Sequence, residues 1–389
     1  MLNRRRLSLC ASTILLAVMS SVRAAENLDS SRATASADGA VLWYDFTELG
    51  IEGKGWADTK AAYDRLPAKA ENMVRGPVWN LSRQSAGLCG RFVTDAPMVS
   101  VRWSLSSANL AMPHMAATGV SGVDLYVKSE PGWRWLACGF PKAQSNEAVL
   151  VQGLPAAERE YLLYLPLYNG VTKVEVGIPK QHALAKAPPR SAERAQPIVF
   201  YGTSITQGGC ASRPGMVHTA ILGRRFDRTV INLGFSGNGK MEPELASLLA
   251  ELDPAAYVLD CLPNMSPQEV SERVEPFVRT LRAARPATPI VLVEDRNYTD
   301  GFLIASKRER NEASHRALRA AFDRLAADGV KDMYYLPGQD LLGDDGEATV
   351  DSSHPTDLGF VRQAAAFQSV LAKALEQPLN DPGIGPGVP

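Results

Sequence analysis

The chain has 389 residues, enough for two domains rather than one. Hydrophobic residues make up 45% and charged residues 21%, globular values that exclude wholesale disorder and a collagen-like repeat. The formal net charge is −1 and no basic run occurs beyond Arg4-Arg5-Arg6, which excludes a protein that grips nucleic acid by bulk charge.

Residues 1–24 read as an export signal. Arg4, Arg5 and Arg6 precede an apolar run from Leu7 to Val18, and Val22-Arg23-Ala24 offers a signal peptidase small or apolar residues. The run falls short of the ~20 residues a spanning helix needs, and no later run is long enough either. Without this segment the chain carries 37 basic and 42 acidic side chains, a net charge of −5. The expected location is the periplasm or the cell exterior, with no membrane insertion after cleavage. Four cysteines then remain, Cys89, Cys138, Cys210 and Cys261, none in a CxxC pair. An exported chain permits disulfides, so Cys89–Cys138 and Cys210–Cys261 pairs stand open beside four free thiols.

Glu26 to Gly39 is polar and reads as a connection to a first domain placed at residues 38–184. From Leu42 to about Lys180 the pattern favours short strands, among them Val99–Trp103, Val123–Val127, Glu160–Leu167 and Val171–Val176. Strands at this spacing predict an all-β sandwich of jelly-roll type. All six tryptophans lie in this half. Trp133 and Trp135 flank Arg134 and so share one side of a strand, expected to be the sandwich core. Asp124 suits such a core badly and is expected to satisfy a turn or to face the second domain.

Residues 185–197, AKAPPRSAERAQP, are proline-rich and aperiodic, the mark of an interdomain linker. Beyond them, over 198–376, five apolar runs alternate with amphipathic helices: Ile198–Tyr201, Thr229–Leu233, Ala256–Asp260, Ile290–Glu294 and Met333–Leu336. Ser266-Pro267-Gln268-Glu269 is a capping box that opens one of the helices. This rhythm predicts an α/β fold, an open parallel sheet covered on both faces with its site beyond the carboxyl ends of the strands. The tail, 377–389, reads as disordered.

Four segments fall at those strand ends. They are Gly202-Thr203-Ser204-Ile205-Thr206, Asn232 to Gly239 (NLGFSGNG), Leu262-Pro263-Asn264, and Asp351-Ser-Ser-His354. Acyl transfer needs a nucleophile, a base, a group that orients the base, and donors for the oxyanion. Ser204, His354 and Asp351 supply the first three in that order. The backbone N–H groups of Ser204 and Gly237 and the Asn264 amide supply the last. Taken singly, each has a bland reading: a GxS turn, a helix cap, a tight glycine turn. Arg213, on the loop after Ser204, is a candidate substrate contact or else a solvated arginine. Glu294-Asp295-Arg296 reads as a cleft wall or a local ion pair. His114 and His182 fall outside the catalytic half, and His218 and His315 read as helix residues. No metal-ligand spacing occurs, so neither metal nor cofactor is expected.

The set GTSIT, NLGFSGNG, LPN and DxxH resembles the four sequence blocks of the SGNH/GDSL hydrolases. Gly122-Val123-Asp124-Leu125-Tyr126 resembles the GxDLY signature of a β-domain that precedes some of them. The resemblance spans roughly residues 40–375. It implies a three-layer α/β/α, flavodoxin-like catalytic domain behind the sandwich. It also implies a secreted serine esterase acting on short, acetyl-type esters of carbohydrate or of a small molecule. A lipase or lysophospholipase with the same residues, and a non-catalytic carbohydrate-binding protein, are the alternatives. Thr203 stands where the family has Asp, and Pro263 and Met265 flank Asn264 in place of Gly and Asp. How the Asn264 loop is held is therefore open, as is oligomeric state.

Overall fold

The computed structural model describes residues 25–130, 132–339 and 341–377. The expected export signal, and the expected tail beyond Gln377, lie outside these residues.

The first half is a sandwich of two antiparallel sheets. One has the order Glu26–Asn27, Ala185–Lys186, Cys89–Thr94, Arg159–Tyr164, Val123–Ser129, Gly132–Gly139. The other runs Thr34–Ala35, Val41–Asp45, Val171–Pro179, Met98–Leu105, Ser145–Gln152. Alternation along the strands sends Phe92, Trp103, Val123, Leu125, Tyr161 and Leu163 into the space between the sheets. Two expected connections contain two-residue strands at the sheet margins. Within Glu26–Gly39, Glu26–Asn27 and Thr34–Ala35 pair with the sandwich, and in 185–197 Ala185 and Lys186 pair with Val93 and Phe92. Backbone pairing at a sheet edge needs no apolar periodicity, so composition hid them.

The strand-rich reading fails between Phe46 and Leu88. The Asp45 carboxylate caps a short helix, Phe46–Leu49, and the chain then leaves the sandwich through Ala68–Asn72 and a helix at Gly76–Ser82. Trp56, Leu66, Val74, Val78 and Trp79 from this excursion join one core with Val199, Tyr201, Ile231 and Leu233 of the second half.

In that second half β1 (Ile198–Gly202), β2 (Val230–Gly234), β3 (Ala256–Asp260), β4 (Ile290–Val293) and β5 (Met333–Leu336) form a parallel sheet of order 2-1-3-4-5. Helices α1 (His218–Phe226) and α5 (Asp357–Ala374) cover one face. Helices α2 (Pro243–Leu249), α3 (Pro267–Ala284) and α4 (Ala305–Ala327) cover the other. Along β1, Ile198 and Phe200 face the first layer while Val199 and Tyr201 face the second. The capping box forms as read, with Ser266 Oγ accepting from Glu269 N–H and the Glu269 carboxylate from Ser266 N–H. This is the doubly wound topology whose switch point lies beside β1.

Candidate active site

Strand β1 ends at Gly202, where a Cβ would come within 2.0 Å of Thr206 Oγ1. Only glycine lets the chain turn there. Thr203 Oγ1 accepts from Ile205 N–H at 3.3 Å, so threonine caps the one-turn helix Ser204–Gln207 that an aspartate would otherwise open. Ser204, first in that turn, is nearly buried. Its Oγ lies 2.8 Å from His354 Nε2, and His354 Nδ1 lies 2.8 Å from Asp351 Oδ2. The other Asp351 oxygen accepts from the backbone N–H of His354 (2.8 Å) and of Ser353 (3.1 Å). Burial pushes the Asp351 carboxyl up. The His354 backbone N–H and imidazole outweigh it and hold the group below the ordinary carboxylate range. Bonds from Val350 N–H to His354 O and from Thr356 N–H to Ala348 O close the loop that carries both residues.

The end of β2 supplies the opposite side. A Cβ on Gly239 would sit 1.9 Å from Gly202 O, so the second loop packs directly onto the first. Gly237 adopts φ +68°. Among the described residues neither Gly237 N–H nor Ser204 N–H, the latter at the start of its helix, has an acceptor. Oriented by its neighbours, the Asn264 amide oxygen accepts from Asn238 N–H (3.0 Å) and Gly239 N–H (3.2 Å), which leaves the NH2 group as a free donor. Arg310 holds this third loop: it donates to Asp295 (2.8 Å) and to Pro263 O (2.9 Å), while Met265 is buried beneath. The structure thus brings Ser204, His354, Asp351, Gly237 and Asn264 to one end of the sheet.

Arg213 is different. Its guanidinium donates to buried Asp124 at 2.7 Å and to Tyr126 Oη at 2.6 Å, so it joins the two halves and is not a free substrate contact. Asp124 also accepts from Gly215 N–H (2.8 Å) and Trp135 Nε1 (2.9 Å). The GxDLY strand therefore faces the catalytic half through its polar residues. Trp133 and Trp135 follow Asp124 and leave the expected core position. They lie on the outer face, with Trp135 51% exposed. All four cysteines are free thiols, so neither disulfide forms. Arg296 and Asp295 make ion pairs, though with distant partners: Arg296 with buried Asp260 under the nucleophile turn, Asp295 with Arg310. Thr206 Oγ1 donates to the same Asp260.

Several residues have no local signal and were missed. Arg65, from the excursion, is 1% exposed and donates to Asn232 O, Gly234 O, Leu81 O and Gln84 O. Arg75 donates to both the side chain and the backbone oxygen of Asn238, each at 2.8 Å, and pairs with Glu242, which accepts from Tyr201 Oη. Tyr168 Oη donates to Ser204 O at 2.9 Å. Gln207 donates to Gln84 and accepts from Ser236 N–H. His114 of the sandwich lies with its ring 5.8 Å from that of His354.

A doubly wound α/β/α domain whose strand ends hold a hydrogen-bonded Ser–His–Asp run beside unpaired N–H groups has the architecture of an SGNH-type ester hydrolase. Family models agree: residues 195–372 match the GDSL-like lipase/acylhydrolase family, and residues 41–184 match the GxDLY N-terminus of SGNH-hydrolase-type esterases. The chain is 35% identical to a protein assigned as a GDSL-like lipase from Bacteroides ovatus ATCC 8483, with TM-score 0.82 over 87% of this chain and 99% of that one. The chain therefore belongs to the GDSL-like lipase/acylhydrolase family and is a carboxylic ester hydrolase. Two further structures share the fold. The salicylyl-acyltransferase SsfX3 of a tetracycline biosynthetic pathway is 19% identical, with TM-score 0.69 over 90% of this chain and 98% of that one. A family two carbohydrate esterase from Clostridium thermocellum, in complex with cellohexaose, is 14% identical, with TM-score 0.53 over 75% and 93%. No curated protein matches the sequence.

Proposed function

We propose that this chain is an exported serine esterase that removes short acyl groups, acetyl foremost, from carbohydrate through an acyl-enzyme on Ser204. The hydrogen-bonded run from Ser204 Oγ to His354 to Asp351, at 2.8 Å each, carries the reading. His354 takes the proton from Ser204 as Oγ attacks the ester carbonyl. The Ser204 and Gly237 N–H groups and the Asn264 amide receive the oxyanion, each donor worth about 3 kcal/mol in the transition state. His354 returns the proton to the leaving alcohol, then removes one from the water that cleaves the acyl-enzyme. Asp351 keeps the imidazole in the tautomer that presents a bare Nε2 to the serine.

The carbohydrate part draws support from the fold shared with the family two carbohydrate esterase and from the export signal read in residues 1–24. A second reading, a lipase for long acyl chains, is favoured by Phe302 (77% exposed) and Leu303 (78% exposed) on a loop bonded to Ser352. Matched acetyl and long-chain aryl esters and acetylated oligosaccharides, given to the mature protein and to Ser204→Ala, separate the two. Acetate release by the parent alone supports the first reading. Preference for long chains replaces it with the second, and a folded parent that turns over no ester removes both.

A further inference from the structure

A groove of about 690 Å³ runs along the sandwich beside the nucleophile. One wall is the segment Ser106–Pro113, and the inner end is made by Gln84 and Tyr168. Those two residues touch the turn that carries Ser204. Tyr168 Oη donates to Ser204 O, and Gln84 bonds to Gln207, which in turn holds Ser236 N–H. His114, the next residue after the wall, overlooks His354. It is exposed yet positioned, since Met115 is buried against Ile205 and Cys210 and Thr118 Oγ1 donates to Ser212 O.

The lining says what fits. Asn80, Gln84 and Asn109 present amides, and Ser106 and Ser107 present hydroxyls. Beside them lie the apolar Ala108, Leu110, Ala111, Met112 and Pro113. Asn169, 2% exposed, spends its amide on Ser106, Ser107 and Ser121 and holds the wall in place. Arg83 is the one charged side chain among the described lining residues, and it is already paired with Asp64 at 2.8 Å. A lining that mixes amides and hydroxyls with apolar faces and carries no uncompensated charge suits a neutral sugar chain, whose units offer both hydroxyls and C–H faces.

We propose that this groove is the subsite for the alcohol part of the substrate, a neutral oligosaccharide. Sugar units beyond the acylated one lie along Ser106–Pro113, and His114 contacts the unit nearest His354. The proposal rests on the esterase reading above and adds that the sandwich sets its specificity.

The readout is a selectivity ratio: kcat/KM for an acetylated xylo- or cello-oligosaccharide divided by kcat/KM for 4-nitrophenyl acetate, whose alcohol is too small to enter the groove. Ala111→Trp, on the exposed wall, should lower the ratio at least tenfold, chiefly through KM. Asn109→Ala and His114→Ala should each lower it several-fold. A parent that cleaves 4-nitrophenyl acetate while the ratio stays level in all three variants overturns the subsite and leaves the esterase standing. Calorimetry on Ser204→Ala tests the groove without turnover. The deacetylated oligosaccharide should bind, and adding Ala111→Trp should weaken it at least tenfold. Absence of binding to Ser204→Ala also overturns the subsite, whatever the parent hydrolyses.

Discussion

Ser204 and His354 meet at hydrogen-bond distance, and in the proposed mechanism Asp351 decides whether the pair works, because a neutral imidazole can carry its proton on either nitrogen. Asp351→Asn replaces an acceptor with an amide that can present N–H to Nδ1, and should lower kcat by roughly 10²–10⁴-fold with KM little changed. Ser204→Ala should lower it by about 10⁴-fold or more. Steady-state kinetics on one aryl acetate checks both, and a fully active Asp351→Asn would remove the carboxylate from the mechanism. The direction of the Asp351 shift gives a pH prediction. Its folded-state value lies below the ordinary carboxylate range, so the carboxylate stays ionised in the folded protein until the pH falls through that depressed value. Its stabilising contribution, full above the ordinary carboxylate value, is lost as the pH falls from there through the depressed one. Above that depressed value Asp351 should therefore add no step of its own to the acid side of log kcat/KM; an extra unit of slope there would put its protonation in the working range. The thiols give a third expectation. Burial pushes the Cys210 and Cys138 thiols up to about 12, so little thiolate forms at pH 8. Iodoacetamide should label the native protein slowly, and unfolding in urea without reductant should yield four labels in mature protein by mass spectrometry. Two labels would show that a disulfide had formed.

At the scale of elements, each reactive loop is held by a side chain from elsewhere. The Asp260–Arg296 pair sits under the nucleophile turn, where removing one partner of a buried pair costs about 3–5 kcal/mol. Arg310 grips the Asn264 loop, and Arg75 reaches from the excursion to Asn238, next to Gly237. Arg75 is partly exposed, so its loss should disturb geometry more than folding. We expect Arg75→Ala to lower kcat about tenfold at nearly constant KM, because small displacements of oxyanion donors are felt mainly in the transition state. Arg75→Lys should recover only part, lacking the fork that holds Asn238 and Glu242 together. An unchanged kcat in both variants would confine Arg75 to a surface role. These holders also show what the sequence could and could not disclose. Ser204, Gly237, Asn264 and His354 were legible because each stands beside a strand end in a short motif, and the strand ends were legible from periodicity. Arg65, Arg75 and His114 were not. Their partners in the second half are more than a hundred residues away, and an isolated arginine or histidine carries no local mark of a distant acceptor. Trp133 and Trp135 misled for a related reason: alternation assigns two residues to the same side of a strand without saying which side is the core, and here they share the outer side with Asp124 and Tyr126.

The whole molecule behaves as one body in which the sandwich half completes the catalytic half. Trp56, Leu66, Val74, Val78 and Trp79 lie in the same core as β1 and β2. Burying side chains of this kind stabilises by roughly 1.5–3 kcal/mol apiece, so the five together rival the 5–15 kcal/mol by which a domain is usually stable. Arg65 adds bonds to two backbone oxygens of β2 that would otherwise face this segment unpaired. Asp124 and Arg213 tie the GxDLY strand to the loop after the nucleophile. Residues 195–377 on their own would expose the Ile231 and Leu233 face and lose Arg75 and Gln84 beside the Gly237 loop and Tyr168 beside Ser204. We therefore expect that fragment to lack a cooperative thermal transition and to show no esterase activity, while residues 25–377 unfold in a single transition that carries the activity with it. Differential scanning calorimetry on the two, with 4-nitrophenyl acetate hydrolysis followed alongside, decides the matter. A fragment that melts cooperatively and turns over the ester would make the sandwich an independent module, and would place whatever it does for specificity outside the folding of the site.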